Sequence, residues 1–297
     1  MQTYTLSNGV KIPAIGMGTW PLKGNLLKET MKHAIKIGYR MFDTADNYDN
    51  ESDIGEIIAS KIVPREELFI TTKISDEKNN NCPWSSTGKY FYKSSPYMKE
   101  HSVREVVEML VNKSLRSLKT DYIDCLIIHW PYPDYLLEIW DSMCILYKAG
   151  KFRSIGVSNC RERHLEKIIN NSSIAPMVNQ VSISPLDTRE TLLKYNKEHN
   201  IQTMCYAPLM QRNNNTLRQA DIIKQIMDKY NITIEQLLLV WNVNQGIIPI
   251  PKSTSEQRLK SNFNIFNIRF TKQEIINISK LNQDLQYLPE SKYCPGL

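Results

Sequence analysis

Apolar residues in this chain fall into short dense runs, separated by stretches in which they recur every third or fourth position. The runs IGMG (15–18), YRMF (39–42), LFITT (68–72), YIDCLII (122–128), FRSIGV (152–157), MVNQVSI (177–183), IQTMCY (201–206) and GIIPI (246–250) have the length and make-up of buried strands. Helical spacing fills the stretches SVREVVEMLVNKSLRSL (102–118), TIEQLLLVWNVNQ (233–245) and TKQEIINISKLNQ (271–283). Each of these opens with a hydroxyl residue three positions before Glu or Gln: Ser102 with Glu105, Thr233 with Gln236, Thr271 with Glu274. That spacing lets side chain and backbone satisfy each other at a helix start. Strands alternating with helices imply parallel strands joined by crossover helices, and about eight of them is the number of a (β/α)8 TIM barrel. The expected fold class is therefore α/β. Asn8-Gly9 between apolar residues is a hairpin signal, and a hairpin there would cap one end of the barrel.

Two stretches break the rhythm. Residues 75–101 read as a long polar and aromatic loop, and 286–297 as an irregular tail. The asparagine triplets at 79–81 and 213–215 read as loop pieces, and no tandem repeat is present. A length of 297 residues suits one large α/β barrel spanning 1–297. The net charge of +6 favours an anionic ligand, but the basic residues are scattered and no long basic run suggests nucleic acid. The cysteines at 82, 125, 144, 160, 205 and 294 form no CxxC pair and no Cys/His spacing of a zinc site, so no metal is expected. They read as reduced thiols of a cytosolic protein. The N-terminus lacks a signal-peptide profile and no apolar run is long enough to span a membrane, so a cytoplasmic protein without a membrane partner is expected. Nothing demands an oligomer, and a monomer is expected.

In a parallel barrel the loops after the strands gather at one face. Trp20 follows the first run, Asp43 and Tyr48 the second, Lys73 the third, and His129 and Trp130 the fourth. Ser158 and Asn159 follow the fifth, Gln180 sits within the sixth, Tyr206 ends the seventh, and Lys252 and Ser253 follow the eighth. Taken singly, these have ordinary readings: Asp43 as a turn residue, Tyr48 as packing, Lys73 as a solvated cation, His129 as a structural histidine. Together they make chemical sense. A tyrosine with a reference pKa of about 10 is a poor acid near neutral pH. A nearby ammonium favours its phenolate, and a carboxylate can hold that ammonium in place. With a histidine to orient a carbonyl, such a set can protonate an alkoxide as it forms. Trp20 and Trp130, at strand ends, read as walls of a substrate pocket.

The segments GYRMFDTADNYDNESDIG (38–55), LKTDYIDCLIIHWP (118–131), GKFRSIGVSNC (150–160) and IPIPKSTSEQRLKSNF (248–263) resemble, in order and spacing, motifs of the aldo-keto reductases. The resemblance runs from the Asn8-Gly9 hairpin to about Phe270. It implies a barrel that binds NADPH/NADP+ without a Rossmann domain, and GMGTWPLKG (16–24) indeed does not complete GxGxxG. It implies Tyr48 as the general acid for reducing an aldehyde or ketone, with Lys73 and Asp43 tuning it and His129 orienting the substrate carbonyl. Ser158, Asn159 and Gln180 would hold the nicotinamide carboxamide, and Tyr206 would stack on its ring. Lys252, Ser253 and Arg258 match positions that bind the 2′-phosphate, and Asn262 an adenine contact.

The chain departs from that pattern at several points. Ser75 stands where many relatives have an aromatic residue, and Trp84, Tyr90, Phe91, Tyr92 and Tyr97 are candidates to refill the space. Ser182 and Ser184 replace a Glu and a His, Ala207 a serine, Ser261 an acidic residue and Cys160 a phenylalanine. None of these removes a member of the catalytic set. The resulting expectation is an NADPH-dependent reductase of small carbonyl compounds. The alternatives are an NADP(H)-binding sensor with little turnover, or a hydrolase or isomerase using Asp43 and His129.

Overall fold

The computed structural model describes residues 2–75, 97–210 and 214–288. Trp84, Tyr90, Phe91 and Tyr92, the bulk of the 75–101 loop and the tail from 289 onward lie outside the described residues. The chain opens with an antiparallel hairpin of β1 (Thr3–Thr5) and β2 (Lys11–Pro13), turned at Asn8-Gly9 as the sequence predicts, with Gly9 at φ 87°. Eight parallel strands follow: β3 (Met17–Gly18), β4 (Met41–Asp43), β5 (Phe69–Ile74), β6 (Ile123–Ile128), β7 (Phe152–Ser158), β8 (Val178–Ser182), β9 (Gln202–Tyr206) and β10 (Ile248–Pro249). They pair in sequence order, each with its neighbour. All eight predicted runs contain a strand. β5, β6 and β8 are buried at every position, because helices cover the outside while side chains fill the inside.

The ring closes where β3 meets the end of β10. The Gly16 N–H donates to the Pro249 carbonyl and the Gly18 N–H to the Pro251 carbonyl, each at 3.1 Å. On its other side, the Ile250 N–H donates to the Cys205 carbonyl of β9 at 3.0 Å. A Cβ on Gly18 would sit 3.0 Å from the Ile250 carbonyl oxygen, so a side chain would push this junction apart.

The helices are α1 (Gly24–Ile37), α2 (Glu51–Ala59), α3 (Val103–Ser117), α4 (Leu136–Lys148), α5 (Glu162–Asn171), α6 (Glu190–Glu198), α7 (Asn214–Gln219), α8 (Asp221–Tyr230), α9 (Ile234–Val243), α10 (Glu256–Phe263) and α11 (Lys272–Ser279). Helix α1 shows the rule: Leu27, Met31, Ala34 and Ile35 recur on one face and are buried. The capping boxes predicted at Ser102, Thr233 and Thr271 all form. Among the described residues no helix is long and apolar enough to cross a membrane.

Helix α2 packs closest at Gly55. A Cβ there would stand 2.1 Å from the Ser117 carbonyl oxygen and 2.9 Å from the Leu118 carbonyl carbon, both backbone atoms at the end of α3. Gly55→Ala is therefore expected to destabilise the fold by about 3 kcal/mol, the upper part of the usual overpacking range, because backbone cannot rotate away. The midpoint of urea unfolding measures it, and an unchanged midpoint would contradict this packing.

Candidate active site

Asp43 ends β4 and Lys73 lies near the end of β5, the next strand in the ring. Their side chains pair at 2.7 Å and are 5% and 1% exposed. The Asp43 Oδ1 also accepts from the Gln180 Nε2 at 2.7 Å. Gln180 belongs to β8, four places round the ring from β4, so this bond crosses the barrel. Side chains from opposite strands meet only if both point inward, which places Asp43, Lys73 and Gln180 in the barrel interior. The Lys73 ammonium also donates to the Thr44 carbonyl at 2.8 Å. Burial works against its charge, but Asp43 and the Tyr48 phenol outweigh that, and its pKa is raised. Lys73 is thus a charged lysine at neutral pH.

Tyr48 closes a short 3-10 turn, Asp46–Tyr48, directly after β4. Two features hold the turn. Asn50 donates through Nδ2 to the Thr19 Oγ1 at 3.1 Å and to the Leu22 carbonyl at 2.9 Å, tying the turn to the loop after β3. Asp49 takes the left-handed conformation at φ 52°, where Asp is among the better-tolerated residues. The Tyr48 ring then lies with Lys73 Nζ 5.1 Å from its centroid. Trp20 packs on it at 5.0 Å between centroids, and His129 meets it edge-on at 5.8 Å. Burial raises the Tyr48 pKa; the Lys73 charge pulls the other way and Asp43 adds to the rise. The sequence reading expected Lys73 to lower this pKa. The lowering influence is present, but desolvation is larger and the net displacement is upward.

His129, after β6, has a pKa well below its usual value because it is buried and because Lys73 is near. It is neutral at pH 7. Its Nδ1 lies 2.6 Å from the Ser75 Oγ. The Ser75 N–H in turn donates to the Asp46 Oδ2 at 3.2 Å. Neither Ser75 nor Asp46 was picked out as a site residue from the sequence. The available signal was the crowding of polar groups in the 43–48 turn and the serine in place of an aromatic residue after Lys73.

The predicted nicotinamide residues form one connected set. Ser158 donates to the Gln180 carbonyl at 2.7 Å. Asn159 donates to the Ser158 Oγ and to the His129 carbonyl, both at 3.1 Å. The Tyr206 hydroxyl donates to the Asn159 Oδ1 at 2.8 Å. Asn159 sits at φ 58°, a conformation asparagine adopts more readily than most residues. This set adjoins the Asp43–Lys73 pair through Gln180. Lys252 and Ser253 lie on the segment after β10, and Arg258 and Asn262 on α10. Ser253 and Asn262 are buried, and Ser255 caps α10 by accepting the Arg258 N–H. Two cations, hydroxyl groups and a helix N-terminus suit a phosphate monoester, so the donor set fits a 2′-phosphorylated dinucleotide. Of the two tryptophans, Trp20 is 41% exposed at the rim and Trp130 is buried. Among the described residues no group of three or more His, Cys, Asp or Glu could hold a metal ion.

Comparison with known proteins agrees with this geometry. Residues 14–283 match the Aldo/keto reductase family. The chain is 37% identical to the glyoxal reductase of Bacillus subtilis over 283 residues, 95% of this chain and 93% of that one. It superposes on MGS-M4, an aldo-keto reductase enzyme from a Medee basin deep-sea metagenome library, with a TM-score of 0.84 and 32% identity, covering 98% of both chains. It also superposes on the Bombyx mori aldo-keto reductase AKR2E4 in complex with NADP, with a TM-score of 0.80 and 29% identity, over 98% of this chain and 95% of that one. By its sequence match along nearly the whole length, this chain belongs to the aldo/keto reductase family.

Proposed function

We propose that this enzyme reduces small aldehydes and ketones with NADPH, Tyr48 delivering the proton to the carbonyl oxygen. The observation that carries the reading is the buried Asp43–Lys73 pair set against the ring of a half-buried tyrosine at the barrel mouth. When bound, NADPH supplies the hydride. The chain's own residues do the rest. Tyr48 is fully protonated at neutral pH because burial raises its pKa, so the acid is loaded before the reaction. As negative charge grows on the carbonyl oxygen, the phenol proton moves to it, and the phenolate left behind faces the Lys73 ammonium. Asp43 keeps that ammonium charged and fixed, so little reorganisation is needed at the moment of transfer. His129 is neutral and directs one ring nitrogen to the substrate oxygen. Trp20 and Trp130 wall the approach.

The substrate class is read from chemistry and kinship together. The similar B. subtilis protein is a glyoxal reductase, so small dicarbonyl compounds are the first substrates to assay. A panel of aldehydes and ketones with NADPH oxidation as readout tests the proposal. Tight NADPH binding with no oxidation by any carbonyl would instead favour a cofactor sensor.

Lys252, Ser253 and Arg258 support NADPH over NADH. A hydrogen bond to a charged group contributes about 1.5–3 kcal/mol, so Arg258→Ala is expected to weaken NADPH binding by roughly ten- to a hundred-fold. NADH lacks the 2′-phosphate, and its affinity should stay within about twofold of the unaltered enzyme's. Fluorescence titration with both cofactors measures the difference; a parallel loss for both would remove Arg258 from the phosphate site. We further read residues 1–297 as one barrel domain acting as a cytosolic monomer.

A further inference from the structure

In a neutral imidazole one ring nitrogen donates and the other accepts, and the partner of one fixes the role of the other. The Nδ1 of His129 lies 2.6 Å from the Ser75 hydroxyl, a partner that can either donate to it or accept from it. Which of the two happens is decided by the other claims on that hydroxyl. Asp46 is the competitor: its carboxyl accepts the Ser75 N–H at 3.2 Å, and the Ser75 side chain is among the groups that favour its charged form.

We propose that Ser75 is a positioning residue that sets the tautomer of His129, donating to Nδ1 so that Nε2 carries the proton offered to the substrate carbonyl, and that Asp46 reverses this arrangement when it ionises. The proposal rests on the reading of His129 as the carbonyl-orienting group. It concerns Ser75, a position where relatives commonly carry an aromatic side chain, and Asp46, whose carboxyl accepts the Ser75 N–H.

With Asp46 neutral, the Ser75 hydroxyl is free to donate to Nδ1, and Nε2 keeps its proton. With Asp46 ionised, the carboxylate is a stronger acceptor than an imidazole nitrogen and takes the Ser75 proton as its hydrogen bond. The Ser75 oxygen then accepts from Nδ1–H, and Nε2 is left bare. One proton leaves Asp46 for solvent, and the imidazole proton passes from Nε2 to Nδ1 with no change in its charge. A bare Nε2 cannot donate to a carbonyl, but it can accept from an alcohol. The first state therefore suits reduction and the second suits binding of the alcohol.

The surroundings of Asp46 place this change in an accessible range. Its Oδ1 is buried without a hydrogen-bond partner, which disfavours the charged form. Burial, and after it the Glu51 carboxyl on α2, push its pKa up to about 8, against the lowering influence of the Ser75 hydrogen bonds and of Lys113 on α3. Tyr48, on the same turn, is the other titratable group that interacts with it, and is itself raised. Burial, and after it the Lys73 charge, keep the His129 ring neutral in both states.

The experiment is nitrogen NMR of the full chain with labelled histidine, alongside carbonyl reduction over pH 6–10. The His129 signal is assigned by its absence in His129→Gln. In the unaltered enzyme at pH 6.5, His129 is expected to carry its proton on Nε2, shifting towards Nδ1 as pH rises through about 8, with kcat for reduction falling in step. Asp46→Asn cannot ionise and should hold the Nε2 form and the rate across the whole range. Ser75→Ala should lose the tautomer preference and about tenfold in kcat, the worth of one such hydrogen bond, with NADPH affinity unchanged. Ser75→Thr, which restores the hydroxyl, should recover both. An Nδ1 proton at pH 6.5, or a Ser75→Ala enzyme with unaltered tautomer and rate, overturns the proposal. Full activity in His129→Gln would instead overturn the orienting role beneath it, a separate result because the NMR readout needs no turnover.

Discussion

Tyr48→Phe is expected to lower kcat for carbonyl reduction on the order of 10²–10⁴-fold, the usual contribution of a positioned general acid. That corresponds to about 3–5 kcal/mol of transition-state stabilisation. The change is nearly isosteric. A phenylalanine ring can keep the packing against Trp20 at 5.0 Å, the edge contact with His129 at 5.8 Å and the ammonium at 5.1 Å from the centroid. Only the hydroxyl is lost, so the unfolding midpoint and NADPH affinity should stay close to those of the unaltered enzyme. Steady-state kinetics with a fluorescence titration of the cofactor separates the two effects. A variant retaining full turnover would refute Tyr48 as the acid. The pH behaviour has a definite sign. Because burial holds the phenol above its ordinary value, Tyr48 itself should not limit reduction anywhere below pH 10.

The second large effect lies at the opposite end of the barrel and concerns stability. Asp124, near the start of β6, is fully buried. Its carboxylate receives Arg65 Nη2 and Arg153 Nη1, each at 2.8 Å, and the Ile70 backbone N–H at 2.9 Å. Arg65 is further fixed by donating to the Thr120 hydroxyl and to the Leu68 and Tyr122 carbonyls, and its guanidinium lies 4.1 Å from the Tyr122 ring centroid. Asp124→Ala would leave the half-buried Arg65 guanidinium without its counter-charge and a strand N–H without an acceptor. Breaking such a pair costs about 3–5 kcal/mol, and the low end applies because Arg153 is 42% exposed and can turn to water. Urea unfolding should show the loss, while kcat of the folded fraction remains close to that of the unaltered enzyme. A midpoint shift under about 1 kcal/mol would mean that the cluster is screened like a surface pair.

The barrel was legible because its evidence is local. A strand buried on both faces is a short apolar run wherever it sits, and a capping box is complete within four residues. The misjudged boundaries are those fixed by distant contacts. The segment 271–283 has helical spacing to its end, yet α11 stops at Ser279. Beyond it the chain turns so that the Gln283 and Leu285 N–H groups reach the Leu186 carbonyl, each at 3.0 Å. Likewise α9 ends at Val243, and the Asn244 side chain instead accepts the Phe270 N–H at 2.7 Å.

The same division holds in the site. Asp43, Tyr48, Lys73 and His129 were readable because each lies at or just beyond the end of a strand and their chemistry is complementary. The roles of Asp46 and Ser75 were not. They depend on the parallel register that brings the turn after β4 beside the end of β5, and on a histidine far along the chain. Nor was the balance acting on Tyr48 readable. The charge of Lys73 can be seen in a sequence, whereas the depth of burial that outweighs it belongs to the assembled barrel.

The junction that closes the ring has a consequence for how the molecule breathes. Pro249 and Pro251 offer carbonyls to Gly16 and Gly18 but have no N–H to return, so the bonding there runs one way only. Every other adjacent pair of strands can exchange hydrogen bonds in both directions. The β3–β10 junction is therefore where local opening costs least, and its amides should be the first of the barrel to exchange with solvent. The segment with Lys252, Ser253 and Arg258 hangs directly from that junction. A ligand gripping this segment favours the closed ring by mass action, so a cofactor held there would act as a latch on the barrel's weakest seam.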